Sequence, residues 1–355
     1  MTDAMRRALD GTNMTEAEAE AALLRLASGS LDPAAAGAFL AALKLKGETT
    51  EEIRGFARGM RRLAIPPDLP EPLRRSAVDV VGTGGDGSGS LNLSTGSALL
   101  AAAAGVPVVK HGNRSVTSRS GSADVLERLG LPMPLDPAAA GRCLERTGFT
   151  FLFAPRFHPA MKHVAPVRRV LGVRTIFNLL GPLTNPAAPP FHVIGAWRED
   201  VAAQMANVLS GLPIERAFVV HGEPGWDEAT PCGPFTLFDV SPGRVTCERR
   251  DPADLGLARC EPAALLGGDA DHNADALRTA LRGERGAHRD ALTLGAALAL
   301  EVSGGAPDAE TAFVAAERAL DDGSAGRLLD RLRAFGAGMR RGAGAGAAAG
   351  AVLRG

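Results

Sequence analysis

Two short apolar runs, residues 78–81 and 106–109, each lead straight into a Gly-rich loop and then a helical pattern. Further apolar runs at 149–153, 192–196 and 217–220 alternate with helical stretches in the same way. Strands that alternate with helices can bury their apolar faces only by stacking side by side under those helices. The alternation therefore predicts an α/β domain with a largely parallel central sheet. In such a sheet ligands bind at the carboxyl ends of the strands, where both Gly-rich loops fall.

The chain before residue 72 has a different grain. Thr15-x-x-Glu18 and Thr49-x-x-Glu52 are capping boxes, and Asp32-Pro33 is an N-cap followed by proline at the first helical position. Leu23 and Leu26 continue one apolar face, and Ile53, Phe56, Met60 and Leu63 form another. Pro66, Pro67, Pro70 and Pro72 then make a stiff linker. The sequence predicts a small helical domain over 1–72, an α/β domain over 73–335 and a frayed Gly/Ala-rich tail over 336–355. A hairpin is expected around Pro242-Gly243, and helices over 270–335. The stripe of Ile53, Phe56 and Met60 is more apolar surface than a small domain hides, which favours self-association.

A net charge of -1 argues against a general nucleic-acid binder. The longest apolar run, 98–109, is too short to span a bilayer and contains Gly105 and Pro107. The amino terminus has no apolar signal core, so a cytoplasmic location is expected. Cys143, Cys232, Cys247 and Cys260 have no C-x-x-C spacing and read as isolated thiols.

The first loop, Gly82-Thr83-Gly84-Gly85-Asp86-Gly87, offers bare backbone to an anion, and Asn92-Leu93-Ser94-Thr95 opens the helix behind it. It satisfies G-x-G-x-x-G, but the helix starts late, and Lys110 stands where a dinucleotide site needs an acid. The second loop, 110–122, supplies Lys110, Arg114 and Arg119 with five Ser/Thr hydroxyls. Asp227-Glu228 follows a strand and a turn at Glu223-Pro224-Gly225, and adjacent carboxylates beside a polyphosphate suit Mg²⁺. The histidines show no metal spacing; His111 and His158 lie in the candidate loops.

Several long motifs stand in order: VDVVGTGGDGSGSLNLST, KHGNRSVTSRSGSADVLERLG, FAPRFHPAMKH, VRRVLGVRTIFNLLGPLTNP, GWDE and GGDADHNADAL. Together they resemble the anthranilate phosphoribosyltransferase family along nearly the whole chain. The resemblance implies a nucleoside phosphorylase/phosphoribosyltransferase-like fold, with helices near 164–185 rejoining the helical domain, and a homodimer through that domain. It implies transfer of phosphoribosyl from 5-phosphoribosyl 1-pyrophosphate to the amine of anthranilate, with two Mg²⁺ ions, in tryptophan biosynthesis. Gly82, Gly85, Asp86, Ser90, Asn92, Ser94, Thr95, Lys110 and Ser122 would hold the donor. Ser94, Asp227 and Glu228 would serve the metal, and Lys110, Asp227 and Glu228 the chemistry. Gly82, Asn113 and Arg168 would hold anthranilate, with His111 and His158 along its path. A nucleoside phosphorylase-like enzyme is the nearest alternative, against which Asn113 and Arg168 argue. A non-catalytic nucleic-acid-binding relative is another, against which the charge and the Asp227-Glu228 pair argue.

Overall fold

The computed structural model describes residues 2–115 and 119–352. The chain opens with helices Thr2–Leu9, Glu16–Ala27, Pro33–Lys46 and Thr50–Leu63. Both capping boxes form: Thr15 accepts from the Glu18 amide and Thr49 from the Glu52 amide, and both glutamates reach back. Each such cap is worth about 1 kcal/mol. Glu52 goes further. Fully buried, it pairs with Lys46 at 2.8 Å and accepts from the Met14 amide at 2.9 Å, tying three helical segments together.

Ile53, Phe56 and Met60 are buried inside the chain, so the stripe is core and not a surface for self-association. Phe56 meets Phe177 edge-on at 6.1 Å, which seats Phe177–Leu180 against the helical unit. The same apolar cluster continues into helix Glu199–Leu209 and one face of the sheet, at Ile194, Val219 and Val240. The helical unit is thus built onto the sheet, sharing its core.

The sheet has seven strands: β1 Val78–Gly82, β2 Val108–Gly112, β3 Phe149–Phe153, β4 Phe191–Gly195, β5 Arg216–Gly222, β6 Phe235–Ser241 and β7 Arg244–Arg250. Their order is β3-β2-β1-β4-β5-β6-β7, parallel from β3 to β5 and antiparallel at β6 and β7. The order changes direction between β1 and β4, where Gly82 pairs with Gly195. That switch point opens a crevice at the strands' carboxyl ends. β6 and β7 form the expected hairpin, with Gly243 at φ 72°. β7 is the edge strand and is largely exposed; Arg249 pairs with Glu223, and Arg250 with Glu301. At the other edge β3 is buried.

Two expectations shift. The second strand runs over Val108–Gly112, so Lys110 and His111 lie within it and not in the loop. Full-length pairing with β3, Lys110 opposite Phe151, carries the strand past its apolar run. The Gly/Ala-rich segment after residue 335 does not fray at once: helix Ser324–Val352 runs through it, where Ala outweighs Gly. Residues 353–355 lie outside the described residues, as do Thr117 and Ser118 of the second loop. Among the described residues no helix is long and apolar enough to cross a membrane.

Candidate active site

Three central strands end in glycine: β1 at Gly82, β4 at Gly195 and β5 at Gly222. The loop carrying Asp227 and Glu228 lies directly on this ledge. A Cβ on Gly82 would meet Asp227 Oδ2 at 2.4 Å, one on Gly195 the Asp227 carbonyl at 1.5 Å, and one on Gly222 the Glu228 carbonyl at 2.0 Å. The acids reach the switch point because nothing stands on the strand ends. Gly195 and Gly222 escaped the sequence reading; the first lies inside the run 192–196 and the second just past the run 217–220.

The first Gly-rich loop folds over the same point. The Gly84 amide donates to Asp227 Oδ2 at 2.6 Å, and the Asp227 amide donates to Asp86 at 3.3 Å. Gly84, Gly85, Gly87 and Gly89 all have φ between 63° and 76°, a left-handed path that turns successive amides inward. Asp86 also accepts from the Ser88 amide and hydroxyl, and Ser88 donates on to Ser90. The loop's far end is pinned: the Leu91 amide donates to Leu265 and the Gly267 amide to Gly89. Asn92 donates to Ser120 and accepts from Asn273. Arg174, not foreseen, donates to the Gly85 carbonyl and lies 4.4 Å over the Trp197 ring.

Helix Leu93–Ala103 starts here. The Ser94 amide donates to Glu228 Oε1 at 3.1 Å, so one carboxylate sits on the helix's positive end. The Thr95 hydroxyl is buried with no protein partner among the described residues. Beneath, Lys110 is 1% exposed; its Nζ donates to the Val80 carbonyl and, at 3.3 Å, to Ser94 Oγ. Burial lowers its affinity for a proton, while Asp79, Glu228 and Asp227 oppose that. Asp79 is fully buried in β1, accepting from Asn185 Nδ2 at 2.8 Å and the His111 amide. Burial pushes its carboxyl up to about 6, against the pull of Lys110. Sequence reading missed Asp79, whose signal was an acid in an apolar strand.

Asp227 and Glu228 are also held above the usual carboxylate range. Burial is the main cause for both; the charge of Asp86 adds for Asp227, and that of Asp227 for Glu228. Two crowded acids with oxygen-only donors are a poor resting state and a fitting place for a hard cation. Among the described residues no three His, Cys, Asp or Glu side chains make a self-sufficient metal cage. Mg²⁺ takes one or two carboxylates and completes its shell with phosphate oxygens and water.

Beside this, His111 and His158 stack edge-on at 5.1 Å. His111 Nδ1 meets the Gly181 carbonyl and His158 Nε2 the Thr184 carbonyl; each contact requires an N–H there. His111 Nε2 and His158 Nδ1 have no partner among the described residues. Burial, and for His111 the neighbouring His158, pushes their pKa values down to about 3 and about 4. Both rings are neutral at pH 7. Arg168, half-buried in helix Ala165–Leu171, lies 5.2 Å over the Phe177 ring, and burial alone lowers its pKa. Asn113 is exposed and accepts from the Arg114 amide. Ser122 opens helix Ser122–Leu129. Arg114 is already paired: its guanidinium binds Asp124 at 2.6 Å and Glu127 at 2.7 Å.

Residues 74–326 match the glycosyl transferase family a/b domain, and residues 2–64 that family's helical bundle domain. An anthranilate phosphoribosyltransferase of Rubrobacter xylanophilus is 48% identical over 332 residues, covering 93% of this chain and 96% of the relative. That of Moorella thermoacetica is 47% identical over 325 residues, covering 92% and 95%. This chain belongs to the anthranilate phosphoribosyltransferase family. The crystal structure of the Thermus thermophilus member superposes with a TM-score of 0.88 at 44% identity, covering 94% of this chain and 99% of that one. The Saccharomyces cerevisiae member in complex with PRPP and Mg superposes at 0.85 with 26% identity, covering 95% and 98%. The helical bundle on a mostly parallel α/β domain is therefore the family's fold.

Proposed function

We propose that this chain transfers the phosphoribosyl group of 5-phosphoribosyl 1-pyrophosphate to the amine of anthranilate, releasing pyrophosphate, as a step of tryptophan biosynthesis. One observation carries the reading. Asp227, Glu228, the Gly-rich loop and a helix amino terminus meet at the sheet's switch point over a buried lysine. The yeast relative was captured with PRPP and Mg, and also with 4-fluoroanthranilate, which supports both substrates.

Gly82, Gly85, Asp86, Ser90, Asn92, Ser94, Thr95 and Ser122 hold the donor in this reading. Asp227, Glu228 and Ser94 would hold two Mg²⁺ ions, which when bound would neutralise charge on the leaving pyrophosphate. Lys110 acts from below. By donating to Ser94 Oγ it orients that hydroxyl, and its positive potential favours the negative charge growing on the leaving group. Arg168 and Asn113 take the acceptor's carboxylate, Gly82 backs its ring, and the neutral His111–His158 pair lines its approach. The aromatic amine is itself the nucleophile, so catalysis is largely positioning and electrostatics.

The domain limits we favour are 1–72 with 164–185 for the helical unit and 73–335 for the α/β unit. We assign a cytoplasmic homodimer. Its support has moved from the buried Ile53 stripe to Leu9, Leu45, Val170 and Val173, all exposed on or beside helix Pro33–Lys46 and the two helices that pack on it, Thr2–Leu9 and Ala165–Leu171. The test is loss of anthranilate fluorescence with donor and Mg²⁺. Wild type should consume anthranilate and release pyrophosphate; Asp227→Ala with Glu228→Ala should fold and abolish the Mg²⁺-dependent rate. Undiminished turnover in that double variant would remove the metal assignment, and no turnover in wild type would remove the activity.

A further inference from the structure

The four cysteines are not all isolated. Cys232 Sγ and Cys260 Sγ are 3.6 Å apart, though neither is in a disulfide. Both are partly buried and line a cleft of about 350 Å³ together with Glu223 and Arg259. The backbone holds the pair in register: the Cys260 amide donates to the Pro231 carbonyl at 3.4 Å, and the Cys232 amide to Thr230 Oγ1 at 3.3 Å. A disulfide needs the sulfurs about 2.05 Å apart, a closure that small side-chain rotations can supply.

We propose that Cys232 and Cys260 are a redox-sensitive pair, closed to a disulfide by peroxide or a small disulfide and reopened by thiols. Cys232 follows Asp227-Glu228 on the loop between β5 and β6. Cys260 lies on the segment leading to Leu265 and Leu266, which pair with Leu91 and Ser90 at the end of the Gly-rich loop. The bridge would covalently fasten the carboxylate loop to the strap that pins the phosphate loop. With peroxide, one sulfur attacks the oxidant, the O–O bond breaks, and hydroxide leaves as water after protonation. The resulting sulfenic acid is attacked by the second sulfur, the S–O bond breaks, and a second water leaves. Two thiols thus give up two protons and two electrons, and one peroxide becomes two waters. Burial first, then the contact with Cys232, pushes the Cys260 thiol up to about 12. Reducing cytosol keeps such a pair open until oxidant rises, as for transient regulatory disulfides.

The experiment treats the whole folded enzyme with one equivalent of hydrogen peroxide, or with oxidised glutathione, then maps thiols by mass spectrometry and titrates them after unfolding. Two of the four thiols should disappear, a peptide joining Cys232 to Cys260 should appear, and dithiothreitol should restore both. Cys260→Ser should instead trap glutathione on Cys232. Bridges through Cys143 or Cys247, or stable glutathione or sulfenic adducts on Cys232 in the unaltered enzyme, would overturn the proposal. So would a pair left reduced while Cys247 is oxidised. None of these readouts depends on catalytic activity.

Discussion

Gly82→Ala tests the glycine ledge with a single methyl group. Gly82 closes β1 without a left-handed φ, so alanine costs the backbone little. The methyl would lie 2.4 Å from Asp227 Oδ2 and 3.1 Å from its Cγ. Ordinary contact begins near 3.4 Å, so the carboxylate must retreat by about 1 Å, the difference from 2.4 Å. The 2.6 Å bond from the Gly84 amide then stretches to the limit of hydrogen bonding. A bond to a charged acceptor is worth roughly 1.5–3 kcal/mol, and a misplacement of about 1 Å in a catalytic constellation costs about 100-fold. We expect kcat/KM for the phosphoribosyl donor to fall roughly 10- to 100-fold, with the Mg²⁺ dependence shifted to higher concentration. The unfolding free energy should fall by no more than about 1.5–3 kcal/mol, the worth of that one bond, so the variant stays folded. Initial rates across donor and Mg²⁺ concentrations, with urea unfolding alongside, measure both. A variant within twofold of wild type in kcat/KM would show that Asp227 is not constrained from below, and the ledge argument would fail.

Other outcomes follow from the same geometry. Lys110→Ala removes a buried cation from among Asp79, Asp227 and Glu228, so unfolding free energy should drop by about 3–5 kcal/mol, less at pH 5 where Asp79 protonates; an unchanged urea midpoint at pH 8 would return Lys110 to a solvated loop. Arg168→Ala should weaken anthranilate use roughly 10- to 100-fold with donor binding intact, and Arg168→Lys should recover little because a forked contact is lost; equal loss with aniline, which lacks the carboxylate, would mean the residue acts through structure. His111, His158 and His192 have folded pKa values depressed to about 3, 4 and 3. Below about pH 6.5 the unfolded chain binds protons that the folded one refuses, so these three groups make stability fall as pH drops toward 4; His111→Gln with His158→Gln should flatten that part of a melting-temperature profile, and an unaltered slope would rule the pair out as its source.

Local chemistry was legible in the sequence and long-range chemistry was not. Thr15-x-x-Glu18 caps its helix because both partners lie within one turn, and the parallel strands announced themselves by apolar runs ending in loops. The two Gly-rich loops and Asp227-Glu228 were found as pieces. Their meeting, Gly84 to Asp227 across 143 residues of chain, is made by the strand order, which no spacing rule expresses. Lys110 was misplaced because polarity was taken to end a strand, whereas Asp79 and the Val80 carbonyl in the neighbouring strand make a lysine tenable inside one. Phe56 looked exposed because part of its cover, Phe177, comes from a distant segment. Cys232 and Cys260 looked solitary for the same reason.

The outermost strand, β7, has a consequence for life in a crowded cell. A bare sheet edge is an invitation for a second chain to add its own strand, and such fusion propagates into aggregates. Here the rim carries Arg244, Glu248, Arg249 and Arg250 on seven residues, so a copy arriving edge to edge would have to strip water from these charged groups and their ion pairs. The opposite rim, β3, is buried and packs against helix Pro137–Thr147. Newly made chains can therefore accumulate side by side without knitting their sheets together at this edge.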